Sequence, residues 1–375
     1  MKIAILTADL GGNCLGRTYL LAKVLQRRYE VEMHGFVYPH TNYKIWAPCD
    51  TGEFHYHAVR VNSFPTFLKA AREMVNKINS DAIYAAKPRL PSFGTALWKK
   101  RASGIPIVLD IDDYEMAWFE KLPTFEWLLS VNNPTGPIYT RWLEKYIDRA
   151  DAVTTVSSHL KDIYGHGIII PHGKDTNHFA PSVHDRDAMR RQLSLEAHKV
   201  IMFLGSPRPH KGLDDIIKAL DLIKRDDIKF VIVGAGTDRE YENQLKSLGG
   251  DKLLLKGEIP FYDIPRYLSA ADLVVLPQKV SHASKGQIPA KIFDAMAMAK
   301  PIIATNVADL SKILDGCGII VEPGDLSMLA TRIDWILSHE SEATAMGERA
   351  REKCITEYSW DAMEETLTDI FDNLL

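Results

Sequence analysis

Lys285, Lys291 and Asp294 lie close together in the run Lys285-Gly-Gln-Ile-Pro-Ala-Lys-Ile-Phe-Asp294, which follows an apolar segment ending at Pro277. The pattern predicts a buried strand, a basic loop, a helix opening near Pro289 and a second buried strand over 301–305. At a first helical position Pro289 loses nothing by lacking an N–H. The free amides of Ala290 and Lys291 then point toward the preceding loop, the Lys291 side chain adds charge, and Asp294 lies one turn further along the same face. Amides and an ammonium suit a diphosphate, and a carboxylate suits sugar hydroxyls. The chemistry indicated is the holding of a nucleotide sugar.

Three other clusters follow predicted strands. Leu204-Gly-Ser-Pro-Arg-Pro-His-Lys-Gly-Leu213 places Arg208 and Lys211 in a turn stiffened by Pro207 and Pro209. Fixed positive charge there would neutralise a leaving diphosphate as its bond to the sugar breaks; the plainer reading is two solvated cations. In Leu10-Gly-Gly-Asn-Cys-Leu-Gly-Arg17, Gly11 and Gly12 would let backbone approach a phosphate, although the spacing is not Gly-x-Gly-x-x-Gly and an ordinary strand-to-helix turn is the alternative. Val108-Leu-Asp-Ile-Asp-Asp-Tyr-Glu115 offers clustered carboxylates for a metal, a general base or a helix cap at Asp112 or Asp113. Strand alternation puts Asp110 and Asp112 on one face and Asp113 on the other, which disfavours the metal and leaves Asp112 as a sugar-hydroxyl contact. In His172-Gly-Lys-Asp-Thr-Asn-His-Phe179 the two histidines have no Cys or Glu at matching spacing, so they read as loop residues at a hinge.

These clusters need parallel strands to position them. Short apolar runs alternate with helix-period segments throughout, the pattern of parallel sheets covered by helices. The runs are 2–7, 31–37, 58–61, 82–86, 105–111, 152–156 and 168–170, then 200–205, 229–234, 252–256, 273–277, 301–305 and 319–321. The expected class is α/β with two Rossmann-like, doubly wound domains facing a central cleft. The expected limits are 1–180 and 181–358, with the break between Pro171 and Lys199. A last helix over 359–375 carries Trp360, Met363, Leu367, Ile370, Phe371 and Leu374 on one apolar face that needs another surface to cover it.

The chain is 375 residues long with a net charge of -4, so two domains are the default and nucleic acid is not an indicated partner. Cys14, Cys49, Cys317 and Cys354 are scattered without metal or disulfide spacing, no signal peptide is read at Met1–Thr7, and no apolar run would span a bilayer. A cytoplasmic location is expected, at most peripheral to the inner membrane surface. Residues 114–146 are the candidate for that contact: Trp118, Phe119, Phe125, Trp127 and Trp142 interleave with Lys121, Arg141 and Lys145.

The ordered set of motifs resembles the family-4 glycosyltransferases, retaining enzymes of the GT-B fold. It comprises Gly11-Gly12, Ile170-Pro-His-Gly-Lys-Asp-Thr-Asn-His-Phe-Ala-Pro181, Lys211-Gly212, Val231-Ile-Val-Gly-Ala-Gly236, Leu255-Lys-Gly-Glu-Ile-Pro260, Leu268-Ser-Ala-Ala-Asp-Leu-Val-Val-Leu-Pro277, Phe293-Asp-Ala-Met-Ala297 with Lys300-Pro301, and Val321-Glu-Pro-Gly-Asp325. The resemblance implies transfer of a sugar from a nucleotide-diphosphate sugar, UDP or GDP, to a hydroxyl of a glycan, lipid-linked or small-molecule acceptor. It further implies retention at the anomeric carbon, no metal and no cofactor beyond the co-substrate. It implies that Gly11, Gly12, Ser206, Lys211 and the amides of Ala290 and Lys291 surround the donor, that Asp294 binds ribose hydroxyls and the backbone near Ile259 meets the base, and that Lys211, Arg208 and Asp112 carry the catalytic roles. The final helix would cross back onto the first domain.

Three positions depart from the pattern. Gly286 stands where the family has the first of two glutamates, and Asp294 where it has the second. Ser206 replaces the Arg expected after the glycine, with Arg208 as the substitute, and Asp112 occupies the place of a histidine. An epimerase of the same architecture, or a non-catalytic relative that binds glycans or sugar nucleotides, is the alternative.

Overall fold

A computed structural model of the protein describes residues 1–120, 122–236 and 238–374. Its contacts divide the chain into two compact units, Met1–His172 with Met363–Leu375, and Gly173–Ala362.

The first unit contains β1 (Lys2–Thr7), β2 (Glu30–Val37), β3 (Tyr56–Arg60), β4 (Ala82–Ala86), β5 (Ile107–Ile111), β6 (Ala152–Thr155) and β7 (Ile168–Ile169). They form one sheet in the order β3-β2-β1-β4-β5-β6-β7, and every pairing is parallel. β4 and β5 are buried along their whole length, as expected of strands covered by helices on both faces. β5 starts at Ile107 because Pro106 has no N–H to give the ladder.

The second unit contains β8 (Lys199–Leu204), β9 (Ile228–Ala235), β10 (Leu253–Gly257), β11 (Leu273–Leu276), β12 (Ile302–Thr305) and β13 (Ile319–Val321), in the order β10-β9-β8-β11-β12-β13, again all parallel. All thirteen expected strands are present among the described residues. In each sheet the strand order reverses once, between β1 and β4 and between β8 and β11. Such switch points are where open α/β sheets hold ligands, because adjacent loops there run to opposite sides and leave a crevice. The Gly11–Gly12 loop follows β1, and the loop from Gly205 to Lys211 follows β8.

The last helix runs Trp360–Asp372 and buries Met363, Leu367, Ile370 and Phe371. Within the first unit, Phe371 meets the rings of Tyr84 and Tyr29 at 5.6 and 6.1 Å, and Glu364 pairs with Arg27 and Arg28. The first unit thus covers the apolar face; Leu375 lies outside the described residues. Residues 173–180, expected to close the first domain, pack with the second unit instead. There Arg351 donates to the carbonyls of Thr176 and Phe179, and the Lys174 amide donates to Tyr358 O.

Candidate functional site

In the second unit the end of β8 sets the geometry. Gly205 leaves the strand at φ +121°, a conformation that L side chains rarely adopt, and the Lys291 side chain lies directly over it. A Cβ at Gly205 would stand 2.2 Å from Lys291 Cε and 2.7 Å from its Nζ. The ammonium sits 5.6 Å from the centre of the Phe203 ring and has no carboxylate or carbonyl partner among the described residues. Burial lowers its pKa, Asp294 opposes that shift, and Lys174 adds to it.

The loop then turns through Pro209–Lys211 and reaches Gly212 at φ +70°, which opens the helix Leu213–Leu222. A Cβ at Gly212 would lie 2.0 Å from Pro277 O, so glycine lets this turn press against the end of β11. Lys211 Nζ donates to Gln287 Oε1 at 2.9 Å, tying the loop after β8 to the loop after β11. Arg208 is exposed and Ser206 half-buried. His210 reports on the whole group: burial, then Lys211, Arg208 and Lys291, pushes its imidazole down to about 4. One ring feels all three predicted cations, so the fold gathers them from two separate loops.

The segment after β11 is not all loop: a short helix, His282–Gly286, takes up Lys285, and the helix that precedes β12 starts later than expected. It spans Lys291–Ala297 with Ala290 as its cap, leaving Pro289 outside, where its carbonyl accepts from Ile292 N–H. The amides of Ala290 and Lys291 still have no acceptor among the described residues, as the geometry of a helix start dictates. Asp294 is buried, and its Oδ1 stands 2.6 Å from Lys174 Nζ, off-line for a hydrogen bond but close enough for an ion pair. Lys174 belongs to the loop read as a hinge. Its neighbour His178 meets Tyr262 O at 3.0 Å and stacks on the Tyr262 ring, which follows half-buried Ile259. Gln287, His210 and Lys174 were not singled out from the sequence, since only the folded loops bring them to the predicted cations and Asp294.

In the first unit the outcome is different. Gly11 is covered by Thr41, whose Oγ1 would be 2.3 Å from an added Cβ, and its amide donates to Asp9 Oδ1 at 2.8 Å. That contact already requires a glycine at this position. Gly12 is half-buried, with an added Cβ 3.0 Å from Asp9 Oδ2.

Asp110 is fully committed: Arg17 holds it through Nε and Nη2 at 3.1 and 2.9 Å, and Thr154 donates to it at 2.8 Å. Asp113 does not turn away from Asp112, because β5 ends at Ile111 and alternation ends with it. Lys87 Nζ reaches Asp112, Asp113 and Glu115 at 3.1, 2.8 and 2.7 Å, and Arg89 binds Glu115 through Nε at 2.6 Å. Neither aspartate caps the next turn, which begins after Tyr114. Glu115 is drawn down to about 2 by Arg89 and Lys87 against its burial. Burial raises Asp112 to about 7 against the pull of Lys87, with Asp113, Asp110 and Glu115 adding to the rise.

The aromatic segment presents Trp118, Phe125, Leu129, Val131, Trp142 and Tyr146 to the exterior; Lys121 lies outside the described residues. No helix among the described residues is long and apolar enough to cross a membrane.

Residues 185–353 match the family described as "Glycosyl transferases group 1". Over 328 residues the chain is 26% identical to the GDP-mannose-dependent monoacylated alpha-(1-6)-phosphatidylinositol monomannoside mannosyltransferase of Corynebacterium glutamicum, covering 82% of this chain and 81% of that one. It is 25% identical to the alpha-D-kanosaminyltransferase of Streptomyces kanamyceticus over 72% of this chain and 71% of the other. The crystal structure of Anabaena HepE in complex with UDP superposes with a TM-score of 0.78 at 18% identity, with both chains covered completely. That likeness establishes the fold.

Proposed function

We propose that this chain, a group 1 glycosyltransferase of the GT-B fold acting on a nucleotide sugar, grips the donor diphosphate with Lys291, Lys211, Arg208 and the amides of Ala290 and Lys291. The observation that carries this reading is the half-buried Lys291 ammonium, lying over Gly205 with no hydrogen-bonded or ion-paired carboxylate among the described residues and sharing the His210 imidazole with two further cations. Desolvating an ammonium is unfavourable, and a diphosphate would offset that cost. As the bond to the sugar breaks, negative charge grows on the departing phosphate, and fixed ammonium groups stabilise that state more than the ground state.

The base would lie along the backbone at Ile259. The ribose would meet Asp294 through the oxygen not facing Lys174. Asp112 is proposed to contact a sugar hydroxyl. Transfer with retention is proposed, the acceptor hydroxyl approaching on the face the diphosphate leaves and passing its proton to a phosphate oxygen. Metal independence is supported by cationic side chains standing where a divalent ion would otherwise neutralise the diphosphate. The named relatives favour GDP or UDP as the nucleotide. Their acceptors include a phosphatidylinositol monomannoside, and the exposed aromatic segment 114–146 would suit a lipid-linked acceptor and a peripheral place at a membrane.

Isothermal titration of GDP- and UDP-sugars tests the grip. Lys291→Met is expected to weaken donor binding at least about tenfold while remaining folded, and Lys211→Ala to lose most transfer. Wild-type affinity in Lys291→Met would remove the residue from the donor site.

A further inference from the structure

β2 and β3 are parallel neighbours with His34 opposite His57, and β3 is the edge of the first sheet. Alternation puts Glu32 on the same face as His34. One ligand atom from each of Glu32, His34 and His57 falls within 4.8 Å of the others. His34 Nε2 stands 3.3 Å from Glu32 Oε2, and His57 Nε2 stands 3.5 Å from Glu32 Oε1. Tetrahedral zinc with bonds near 2.0–2.1 Å places its ligands about 3.4 Å apart, so both spacings already match a metal's first shell. His34 is wholly buried, its ring stacks on that of His57 at 4.5 Å, and its Nε2 is hydrogen-bonded to Glu32, whereas the buried Nε2 of His57, which faces the same carboxylate, has no hydrogen-bond partner.

We propose that Glu32, His34 and His57 form a site for a divalent transition-metal ion, zinc being the best match to two imidazoles and a carboxylate. Lys2 bears on the same carboxylate, its Nζ 2.8 Å from Glu32 Oε1, and competes with the metal for that oxygen. His55 flanks His57 edge-on at 4.6 Å and is available as a fourth ligand after a rotamer change. The acidic group Asp112, Asp113 and Glu115 makes a useful contrast, since Lys87 and Arg89 already neutralise it. The ion would clip the edge strand β3 to β2.

The test is calorimetric titration of the full chain, stripped with EDTA, with ZnCl₂ and CoCl₂ alone. One equivalent should bind and raise Tm, and the Co²⁺ adduct should show the intense visible bands of a tetrahedral site. His57→Gln and Glu32→Gln, both at partly exposed positions, should each weaken binding at least tenfold. Lys2→Met should tighten it, because the competing ammonium is gone. The Lys2 variant carries the test if either ligand variant fails to fold. Absence of binding to the wild type, unchanged binding in the ligand variants, or weaker binding in Lys2→Met would overturn the proposal.

Discussion

His210 makes the electrostatics of the second unit measurable. With its imidazole near 4 in the free protein, it is neutral at pH 7 because burial and the charges of Lys211, Arg208 and Lys291 all oppose a proton. A bound diphosphate would cancel part of that repulsion and raise the pKa. A group whose pKa rises on binding takes up protons at pH values between its free and bound values, and affinity there increases as pH falls. Calorimetry at pH 5–6 in buffers of different ionisation enthalpy should therefore show proton uptake when a sugar nucleotide binds, since its diphosphate does not itself titrate in that range. Proton release, or no exchange, would mean that the anion does not settle beside His210. The three cations were legible in the sequence because Arg208 and Lys211 sit in a basic turn after an apolar run and Lys291 stands at a helix start after another. His210, Gln287 and Lys174 were not, since their significance lies in contacts between segments far apart in the chain. The same holds for His34 and His57, which become neighbours only through strand pairing.

At the scale of elements, two glycines on either side of the turn Pro209–Lys211 do different work, and substitution separates them. An alanine at Gly205 meets the far end of the flexible Lys291 side chain, whereas one at Gly212 meets the backbone carbonyl of Pro277. Both also occupy backbone conformations that disfavour a Cβ, at roughly 1–3 kcal/mol. Gly205→Ala should remain folded and lose donor affinity, since Lys291 must leave its position. Gly212→Ala should lower Tm more, because backbone cannot step aside. A Gly205→Ala protein with unaltered donor affinity would contradict the role given to the ammonium above it. Hydrophobic runs marked every strand, most plainly where both faces are buried, as in β4 and β5. The helix start was read two residues early because Pro289 is a strong start signal, yet it stays outside a seven-residue helix capped by Ala290. Alternation failed at Asp113 for a comparable reason: the strand stops at Ile111.

For the whole molecule, two parallel sheets each reverse strand order once, and the predicted binding loops leave the strands at those reversals. Parallel pairing, the number of strands and the return of the last helix to the first unit were legible, because each depends on where apolar surface must be covered. The polar sites of the first unit were less so. The carboxylates there are bound by Arg17, Lys87 and Arg89, cations whose partners lie far away in sequence. The central claim concerns where the donor diphosphate lies. A crystal structure with a bound GDP- or UDP-sugar tests it most directly. Diphosphate oxygens are expected within about 3 Å of Lys291 Nζ and of the amides of Ala290 and Lys291. A donor ordered elsewhere, with the Lys291 ammonium still resting over Gly205 and touching no phosphate, would contradict the account.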